Sequence, residues 1–280
     1  MQSRFADTIQ KRADDLTPSE KRLVSSVLSE PRSAALASVT ELARGAGVHE
    51  ATVSRLARKL GFDGYPAFRQ ALQDELIPSQ DTAARMKRTS DASGEAGVLG
   101  TLVGREVAAL SRLTDHVTDT DIAAAAARLM AARRIFIFGT GNAEVLALMM
   151  AKRFGRFGCD VHVLAGDARG LAEGVLGMTG ADVLLVYAFR RTPRAYPALV
   201  ARAHEVGAAT IVISGISGHL MVPAPDQLLT APRGGDAESF QTLTVPMAIS
   251  NAVVIATKNT GDRNVLQTLD SLGALLKRFE

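Results

Sequence analysis

The sequence predicts two domains of different class, an N-terminal all-α helix-turn-helix bundle joined to an α/β three-layer sandwich with a parallel sheet. The length of 280 residues exceeds what a single domain usually takes. Residues 38–68 contain two short amphipathic helical patterns around a turn. From about residue 118, short apolar runs alternate with helical stretches, which is typical of a parallel sheet covered by helices on both faces.

The composition is that of a globular protein, with 47% hydrophobic and 22% charged residues. The single cysteine, Cys159, excludes an intrachain disulfide framework and indicates a reducing compartment. Residues 1–15 lack the apolar core of a signal peptide, and glycines and prolines interrupt the uncharged stretch 206–225. We therefore expect a cytoplasmic protein with no membrane partner.

The first domain, residues 1–78, should begin its first helix at the capping box Thr17-Pro18-Ser19-Glu20. Proline at residue 31 ends that helix, and a further amphipathic helix is predicted over 65–76, before Pro78. The two helices of the helix-turn-helix flank residues 46–49. Helical spacing predicts the core side chains of these four helices, which are Leu23, Val24, Val27, Leu28, Val39, Leu42, Ala43, Ala46, Val53, Leu56, Ala57, Leu60, Phe68, Leu72 and Leu76.

The second helix of the motif presents a short, polar and basic face, as a helix in a DNA major groove requires. Small residues at its start allow close approach to base edges, and the later cations can reach bases or phosphates. The candidate DNA-binding residues are Glu50, Ala51, Thr52, Ser54, Arg55, Arg58 and Lys59, with Arg69 nearby. The alternative is an ordinary helical bundle whose charges are merely solvated.

Net charge does not decide between these interpretations. The chain carries a formal charge of +3, and residues 1–78 hold 11 Lys and Arg against 10 Asp and Glu. Only the local cluster on the second helix supports DNA binding. With so little charge, we expect tight binding to a double-stranded DNA operator only from an oligomer with two half-sites.

Residues 79–100 are polar and rich in small side chains, and they predict a linker or a loosely held helix. A helical pattern resumes over 98–113, and the second domain is assigned to residues 101–280. Its predicted strands are Ile135–Phe138, Val161–Leu164, Val183–Ala188, Thr210–Ser214 and a short fifth at Gln227–Leu229. Its predicted helices are 142–157, 169–178, 194–206, 237–258 and 263–279.

Two loops of this domain follow predicted strands, where parallel sheets bind ligands. The first is Gly139-Thr140-Gly141-Asn142, whose amides could hold an anion at the start of the next helix. The alternative is a tight turn with no ligand. A nicotinamide cofactor is disfavoured, because Glu144 stands where the third glycine of a dinucleotide fingerprint would fall. No cofactor is expected.

The second loop is 189–193, in which Arg190 and Arg191 follow a buried strand. Arginine at such a position indicates recognition of phosphate or carboxylate by a bidentate guanidinium. A salt bridge to an acidic residue of a neighbouring subunit explains the same pair equally well. Cys159 and the five histidines show no metal-ligand spacing, so no metal site is predicted.

Together these residues resemble RpiR-type transcriptional regulators, which join a helix-turn-helix to a sugar isomerase (SIS) domain. The resemblance is carried by the stretch LTPSEKRLV at 16–24 and by ELARGAGVHEATVSRLARKLGFDGYPAF at 41–68. It implies that helix 50–60 is the recognition helix. The family usually has serine where this chain has His49, so the helix N-cap should be weakened or changed.

The same resemblance implies which loop residues touch the effector. The family's first loop runs Gly-x-Gly-x-Ser, and Ala143 takes the serine position here. Its second loop runs Ser-x-Ser-Gly-x-Thr, and in residues 187–192 only Thr192 is kept. The resemblance therefore predicts a small anionic effector of a different shape, held by the first loop, Arg190, Arg191 and Thr192. Ser239, near the start of helix 237–257, is a lesser candidate.

The leading hypothesis is a homodimeric or homotetrameric regulator that binds an operator and senses a small anionic metabolite (sugar phosphate, sugar acid or similar). Such a protein is not an enzyme. The alternative is a SIS-type phosphosugar isomerase with an accessory helical domain, but none of its candidate bases stands out: Glu144, Glu173, His162, His204 and His219. A third possibility is a scaffold whose pocket binds nothing.

Overall fold

A computed structural model describes residues 15–29, 31–76, 82–94, 97–189, 192–215, 218–219, 221–235, 239–260 and 265–279. The chain divides into two compact units. The helical unit comprises Met1–Ser111, His219–Ala224 and Pro232–Thr242, and the sheet unit comprises Arg112–Gly218, Pro225–Ala231 and Leu243–Glu280. The boundary between the units after Ser111 lies beyond the predicted linker, residues 79–100.

The helical unit contains seven described helices: α1 (Pro18–Ser29), α2 (Pro31–Leu36), α3 (Val39–Gly45), α4 (Glu50–Lys59), α5 (Gly64–Leu76), α6 (Thr82–Asp91) and α7 (Gly97–Ser111). The predicted capping box at the start of α1 is confirmed, since the Thr17 amide donates to Glu20 Oε2 at 2.8 Å and the Glu20 amide donates to Thr17 Oγ1 at 3.4 Å. A second capping box joins Ser38 to Glu41 at the start of α3. Both caps satisfy amides that the helix itself leaves unpaired.

Helices α1 to α5 enclose one apolar core. The predicted core side chains are buried or packed against it, among them Leu23, Val53, Leu56, Phe68 and Leu72, each with no exposed surface. The side chains of Leu28 and Leu76 lie outside the described part of the structure. Burying each large apolar side chain contributes about 1.5–3 kcal/mol, and this core therefore anchors the helix-turn-helix.

Two helices, α6 and the start of α7, occupy most of the predicted linker. Residues 232–242 belong to the same unit and hydrogen bond to these helices. The Phe240 amide donates to Thr89 Oγ1 of α6 at 2.8 Å, and Thr242 Oγ1 donates to Glu106 Oε1 of α7 at 2.8 Å. Helix 237–258 was predicted too long, because the observed helix begins only at Thr244.

The sheet unit has five parallel strands in the order β2-β1-β3-β4-β5, as predicted for an α/β sandwich. They are β1 (Arg134–Gly139), β2 (Asp160–Leu164), β3 (Val183–Ala188), β4 (Ala209–Ser214) and β5 (Gln227–Thr230). Its helices are α8 (Asp119–Ala131), α9 (Ala143–Arg156), α10 (Ala168–Val175), α11 (Tyr196–Glu205), α12 (Thr244–Ala256) and α13 (Val265–Phe279), with 3-10 turns at Leu113–Asp115 and Thr257–Asn259.

The strand order reverses direction between β1 and β3. From β1 the chain moves through α9 to the edge strand β2, and it then crosses back through α10 to β3. Right-handed crossovers in opposite directions place their helices on opposite faces of the sheet. The carboxyl ends of β1 and β3 are therefore the topological switch point, where open α/β sheets bind ligands.

At the opposite end of the sheet, the buried carboxylate of Asp182 joins the starts of β1 and β3. Arg133 and Arg134 donate to its Oδ2 at 2.9 and 3.0 Å, and the Thr179 amide donates at 2.8 Å. Burial alone would raise the pKa of Asp182. The hydrogen bonds from Arg133, Arg134 and Thr179 outweigh burial and hold this pKa well below its usual range.

Candidate DNA interface and effector loops

The recognition helix α4 is capped at both ends. At its start, His49 has extended backbone geometry (φ −79°, ψ 147°) and its ring nitrogen Nδ1 accepts from the Ala51 amide at 3.2 Å. At its end, the Gly61 and Phe62 amides donate to Arg58 O and Ala57 O at 2.9 and 3.0 Å, with Gly61 at φ +85°. The imidazole thus takes over the capping role of a serine hydroxyl.

The exposed face of α4 is smaller than predicted. Glu50, Ala51, Arg55 and Arg58 are exposed, and Ser54 is half-buried. Thr52 is buried, so its prediction as an outward residue is wrong. The apolar stripe of α4 is wide enough to include position 52, since Leu56 lies one turn further along the same face. Thr52 Oγ1 instead accepts from Arg55 Nη2 at 3.4 Å and so helps to position that guanidinium.

Lys59 was also predicted to face outward, and it serves the helical unit instead. Its Nζ lies 2.9 Å from Oε2 of Glu20, a carboxylate that is largely buried. Burial raises the pKa of Glu20, but hydrogen bonds from Thr17 and Lys59 outweigh it and lower the pKa overall. Arg69 is likewise half-buried and donates from Nε to Ala35 O at 3.0 Å. The DNA face therefore has fewer free cations than the sequence suggested.

Arg55 and Arg58 remain as exposed cations of α4. Arg44, which is not among the predicted DNA-binding residues, is also exposed, in the last turn of α3 just before the turn of the motif. The position of Arg44 at the end of an amphipathic helix is the sequence feature that could have identified it. The exposed polar face of the motif is therefore short and basic. Its opposite face packs against the apolar core.

The first effector loop requires glycine at two positions. A Cβ on Gly139 would lie 2.8 Å from the carbonyl oxygen of Ala143, which is too close for any side chain. Gly141 has a φ of +58°. The Gly141 amide donates to Oε1 of Glu144 at 3.1 Å, so an acidic side chain of this chain already uses that N–H. Thr140 and Asn142 are exposed, and the Asn142 side chain makes no capping hydrogen bond.

The second effector loop follows β3, which pairs directly with β1. Phe189 is half-buried and Thr192 is exposed. The predicted ligand residues Arg190 and Arg191 lie outside the described residues. The structure therefore places the starts of both loops at the carboxyl ends of two paired strands, as the alternation of strands and helices predicted.

Hydroxyl groups beneath this edge are bonded internally. Tyr187, which takes the place of a family serine, is buried and its Oη lies 2.8 Å from Ser250 Oγ. Burial raises its pKa despite this bond. Ser214, which the sequence analysis missed, donates to Ala188 O at 2.6 Å. Both hydroxyl groups therefore make hydrogen bonds within the sheet unit.

Ser239 does not lie near the start of a helix, and this prediction is wrong. It belongs to the helical unit, where it is buried, five residues before α12 begins at Thr244. Pro246 in the first turn of α12 sets that later start, because proline is tolerated only in the first turn of a helix. The role of Ser239 in effector binding stays a prediction.

Neither metal ligation nor membrane insertion is supported by the described part of the chain. No group of three or more His, Cys, Asp and Glu side chains within it could hold a metal ion. Among the same residues, no helix combines the length and the apolar character that crossing a membrane demands.

Comparison with known proteins agrees with this geometry. Residues 3–79 match the family model of the helix-turn-helix domain, rpiR family. The N-terminal region is an rpiR-family helix-turn-helix domain. The resemblance inferred from residues 16–24 and 41–68 is thus confirmed.

Among relatives, HTH-type transcriptional regulator HexR from Pseudomonas aeruginosa is 25% identical over 238 residues, covering 85% of this chain and 82% of HexR. The bifunctional protein glk from Paraburkholderia xenovorans is 29% identical over 174 residues, covering 60% of this chain. The chain spans only 27% of the length of that glk protein.

Solved structures share the fold. NanR from Vibrio vulnificus, complexed with ManNAc-6P, has a TM-score of 0.58 at 16% identity, covering 97% of this chain and 99% of NanR. The sugar isomerase domain of an RpiR transcription factor from Sphaerobacter thermophilus has a TM-score of 0.57 at 17% identity, covering 64% of this chain and 99% of that domain. The predicted combination of a helix-turn-helix with a SIS-like sandwich is therefore confirmed as a fold.

Proposed function

We propose that this protein is a cytoplasmic, sequence-specific DNA-binding transcriptional regulator whose sheet unit senses a small anionic metabolite. The observation that carries the proposal is α4, a recognition helix in an rpiR-family domain with a capped start, a buried apolar stripe and exposed Arg55 and Arg58. Glu50, Ala51, Ser54, Arg55 and Arg58 form the proposed DNA face. Thr52 and Lys59 support it from within the unit.

The test of DNA binding is Arg55→Ala in the full chain, measured by fluorescence anisotropy on a duplex selected in vitro with the wild-type protein. We expect a loss of about 1–3 kcal/mol in binding free energy. The matched control is Arg128→Ala, which removes an exposed arginine from α8 in the sheet unit. Unchanged affinity and an unchanged salt dependence for Arg55→Ala, with the fold intact, would contradict this placement of the recognition helix.

For the effector we propose a sugar phosphate, a sugar acid or a similar small anion at Gly139, Thr140, Gly141, Asn142, Arg190, Arg191 and Thr192. Two facts support this choice. These residues follow the carboxyl ends of β1 and β3 at the switch point. The NanR structure of the same fold contains ManNAc-6P. Ala143 and Tyr187, which replace family serines, offer no hydroxyl to the ligand, so charged donors should dominate recognition.

A thermal-shift screen of the full chain against phosphosugars, sugar acids and inorganic phosphate tests the effector site. We expect saturable stabilisation by one class of anion, and its loss in the Arg190→Ala/Arg191→Ala double variant. Stabilisation that survives in the double variant would place the anion elsewhere. If no compound in the panel shifts the melting temperature, the sensing role is contradicted.

A homodimer or homotetramer is part of the proposal, and exposed apolar side chains support it. In the helical unit, α7 exposes Leu99, Val103, Val107 and Leu110 at helical spacing. In the sheet unit, α13 exposes Leu266, Leu275, Leu276 and Phe279. Contiguous apolar faces of this kind mark association surfaces. Light scattering should show an oligomer that Val103→Asp weakens, with a correspondingly weaker affinity for a palindromic operator.

Residues 232–242 are a suitable route from effector to DNA, because the chain passes through them directly between β5 and α12. Within the helical unit they are bonded to Thr89 of α6 and to Glu106 of α7. Glu106 Oε2 is buried without a hydrogen-bond partner among the described residues, which weakens this contact. Thr242→Val should therefore change the ratio of operator affinities with and without effector, while leaving the affinity of the ligand-free protein within about twofold.

The alternative, a phosphosugar isomerase, requires a general base beside its substrate. Glu144 is the carboxylate at the first loop, and it is engaged by the Gly141 amide. The rpiR-family domain and the regulator HexR among the relatives favour a regulator that is not an enzyme. Turnover of a hexose or pentose phosphate by the purified protein would contradict this conclusion.

A further inference from the structure

His49 lies at the entry of the recognition helix, and within the part of the chain that the structure describes only its ring nitrogen Nδ1 makes a hydrogen bond. Nδ1 accepts from the Ala51 amide at 3.2 Å, which is the N-cap hydrogen bond of α4. The residue is exposed, and its neighbour Val48, not His49, packs against the core. The ring is therefore held in a fixed orientation on the surface of the helix-turn-helix.

This hydrogen bond determines where the ring carries its proton. A nitrogen that accepts a hydrogen bond carries no proton, so the neutral ring carries its proton on Nε2. Nε2–H is then a donor on the side of the ring away from the helix. The cap thus creates an oriented donor that a residue capping with a single oxygen would not present at the same position.

The surroundings of His49 favour a base edge over a phosphate. The N-terminal residues of a recognition helix are those that meet base edges in the major groove. Ala51 is small and exposed, which leaves room for that approach. Glu50, the next residue and also exposed, adds a negative charge to the first turn of α4, which disfavours a phosphate there. The exposed cations suited to phosphate, Arg55 and Arg58, lie one and two turns further along α4.

We infer that His49 is a specificity-determining residue, which donates its Nε2–H to a base-edge acceptor in the major groove, guanine O6 or a purine N7. The inference rests on the proposed DNA binding by α4. Those atoms, like thymine O4, are acceptors that the major groove presents to a side-chain donor. The same imidazole therefore caps the helix through one nitrogen and selects a base through the other.

Three variants of the full chain separate the two roles. His49→Ser keeps an oxygen for the cap and removes the outward donor. His49→Asn keeps both an acceptor for the cap and an outward amide donor, and His49→Ala removes both. Each variant and the wild-type protein are taken through in vitro selection from random duplexes. Affinities are then measured on the wild-type operator and on a scrambled duplex, together with melting temperatures.

We expect His49→Ser to keep the wild-type melting temperature and to lose base preference at one position of each half-site, with roughly tenfold weaker operator binding and unchanged binding to the scrambled duplex. His49→Asn should keep a preference at that position, because its outward amide can donate to the same base-edge acceptor. His49→Ala should lose both base preference and thermal stability.

Two outcomes would overturn the inference. Wild-type selectivity in His49→Ser would show that the ring only caps the helix. Equal weakening on operator and scrambled duplex, with a shallower salt dependence, would show a phosphate contact. If the wild-type protein enriches no sequence at all, the proposed function fails and the inference fails with it. Normal selection by the wild type combined with the first or second outcome would overturn the inference alone.

Discussion

The starts of α4 and α9, which are both proposed to face a negatively charged partner, differ in the side chain that accepts a backbone amide there. In the helical unit, the neutral ring of His49 accepts from the Ala51 amide and the cations stand further along the helix. In the sheet unit, the carboxylate of Glu144 accepts from the Gly141 amide in the loop before α9. Both helices have an exposed glutamate in the first turn, Glu50 in α4 and Glu144 in α9. The difference lies in the group that accepts the backbone amide, which is a ring nitrogen at the start of α4 and a carboxylate, whose charge opposes a small anion, at the start of α9.

The difference suggests that the two sites discriminate by different means. The DNA face is a rigid surface whose donors are fixed by a cap and a buried stripe. The effector loops present a backbone shape fixed by Gly139 and Gly141, with an acid that an anion must outcompete. Charged donors such as Arg190 and Arg191 are then needed to make binding favourable. Four predictions test this contrast, beginning with the largest expected effect.

The first prediction concerns the stability of the sheet unit, which carries the effector loops. Asp182→Ala leaves Arg133 and Arg134 without their shared carboxylate at the starts of β1 and β3. We expect the sheet unit to lose about 3 kcal/mol of unfolding free energy, at the lower end for a broken buried pair because Arg133 is half-exposed. Urea unfolding measures the loss. Asp160→Ala, which removes an exposed acid that contacts His162 on β2, is the control and should change little.

The same carboxylate gives the sheet unit a pH dependence. Because the pKa of Asp182 is lowered on folding, its contribution is fully present above the pKa of an unfolded aspartate, about 3.9. The contribution is lost progressively as the pH falls below that value. Asp182→Asn should remove the part of the stability loss that the wild-type protein shows as the pH falls below about 3.9. An identical profile in wild type and variant would show that other acids control acid unfolding.

The second prediction concerns Lys59, whose substitution should affect the stability of the helical unit more than its DNA binding. Lys59→Met removes the ion pair with the largely buried Glu20. We expect about 1 kcal/mol of lost stability, and an operator affinity that changes far less than in Arg58→Ala. Anisotropy and thermal unfolding of both variants give the comparison. Equal losses of operator affinity in the two variants would show that Lys59 is part of the DNA face.

Features that depend on neighbouring residues could be predicted from the sequence, whereas contacts between residues far apart in the chain could not. Spacing along the chain located the five strands, the recognition helix and most of its core, because periodicity reports which face is buried. It could not place Lys59, whose partner Glu20 lies 39 residues away. Thr52 sits at the margin of a buried stripe on a ten-residue helix, where periodicity alone does not separate inside from outside.

The effector site was harder to predict, because it depends on contacts that no local pattern encodes. The glycines of the first loop were located, but the bond between Gly141 and Glu144 was not anticipated. Glu144 was considered only as an obstacle to a pyrophosphate and as a possible base. Ser239 was misplaced because an apolar pattern was extended past the true start of α12. The described structure therefore adds an acid, Glu144, to the first of the two predicted loops.

The third prediction tests the cap of α4 as a stabilising element. His49→Ala removes the acceptor for the Ala51 amide, and we expect a loss of about 0.5–1 kcal/mol in the helical unit. His49→Asn should restore most of it, since its side-chain oxygen can accept the same bond. Thermal unfolding of both variants provides the measurement. Equal melting temperatures for wild type and His49→Ala would show that the ring does not cap the helix in solution.

The fourth and smallest prediction concerns the acid in the first effector loop. Glu144→Gln keeps an oxygen that can accept from the Gly141 amide, so the turn should be preserved, but it removes the negative charge. An anion at this loop should then bind about 0.3–1 kcal/mol more tightly. Titration calorimetry with the anion found in the thermal-shift screen measures this gain. Glu173→Gln, on exposed α10 surface and paired with Arg169, is the matched control. Unchanged affinity in Glu144→Gln would place the anion away from the first loop, and the contrast between the two helix starts would then have no bearing on effector recognition.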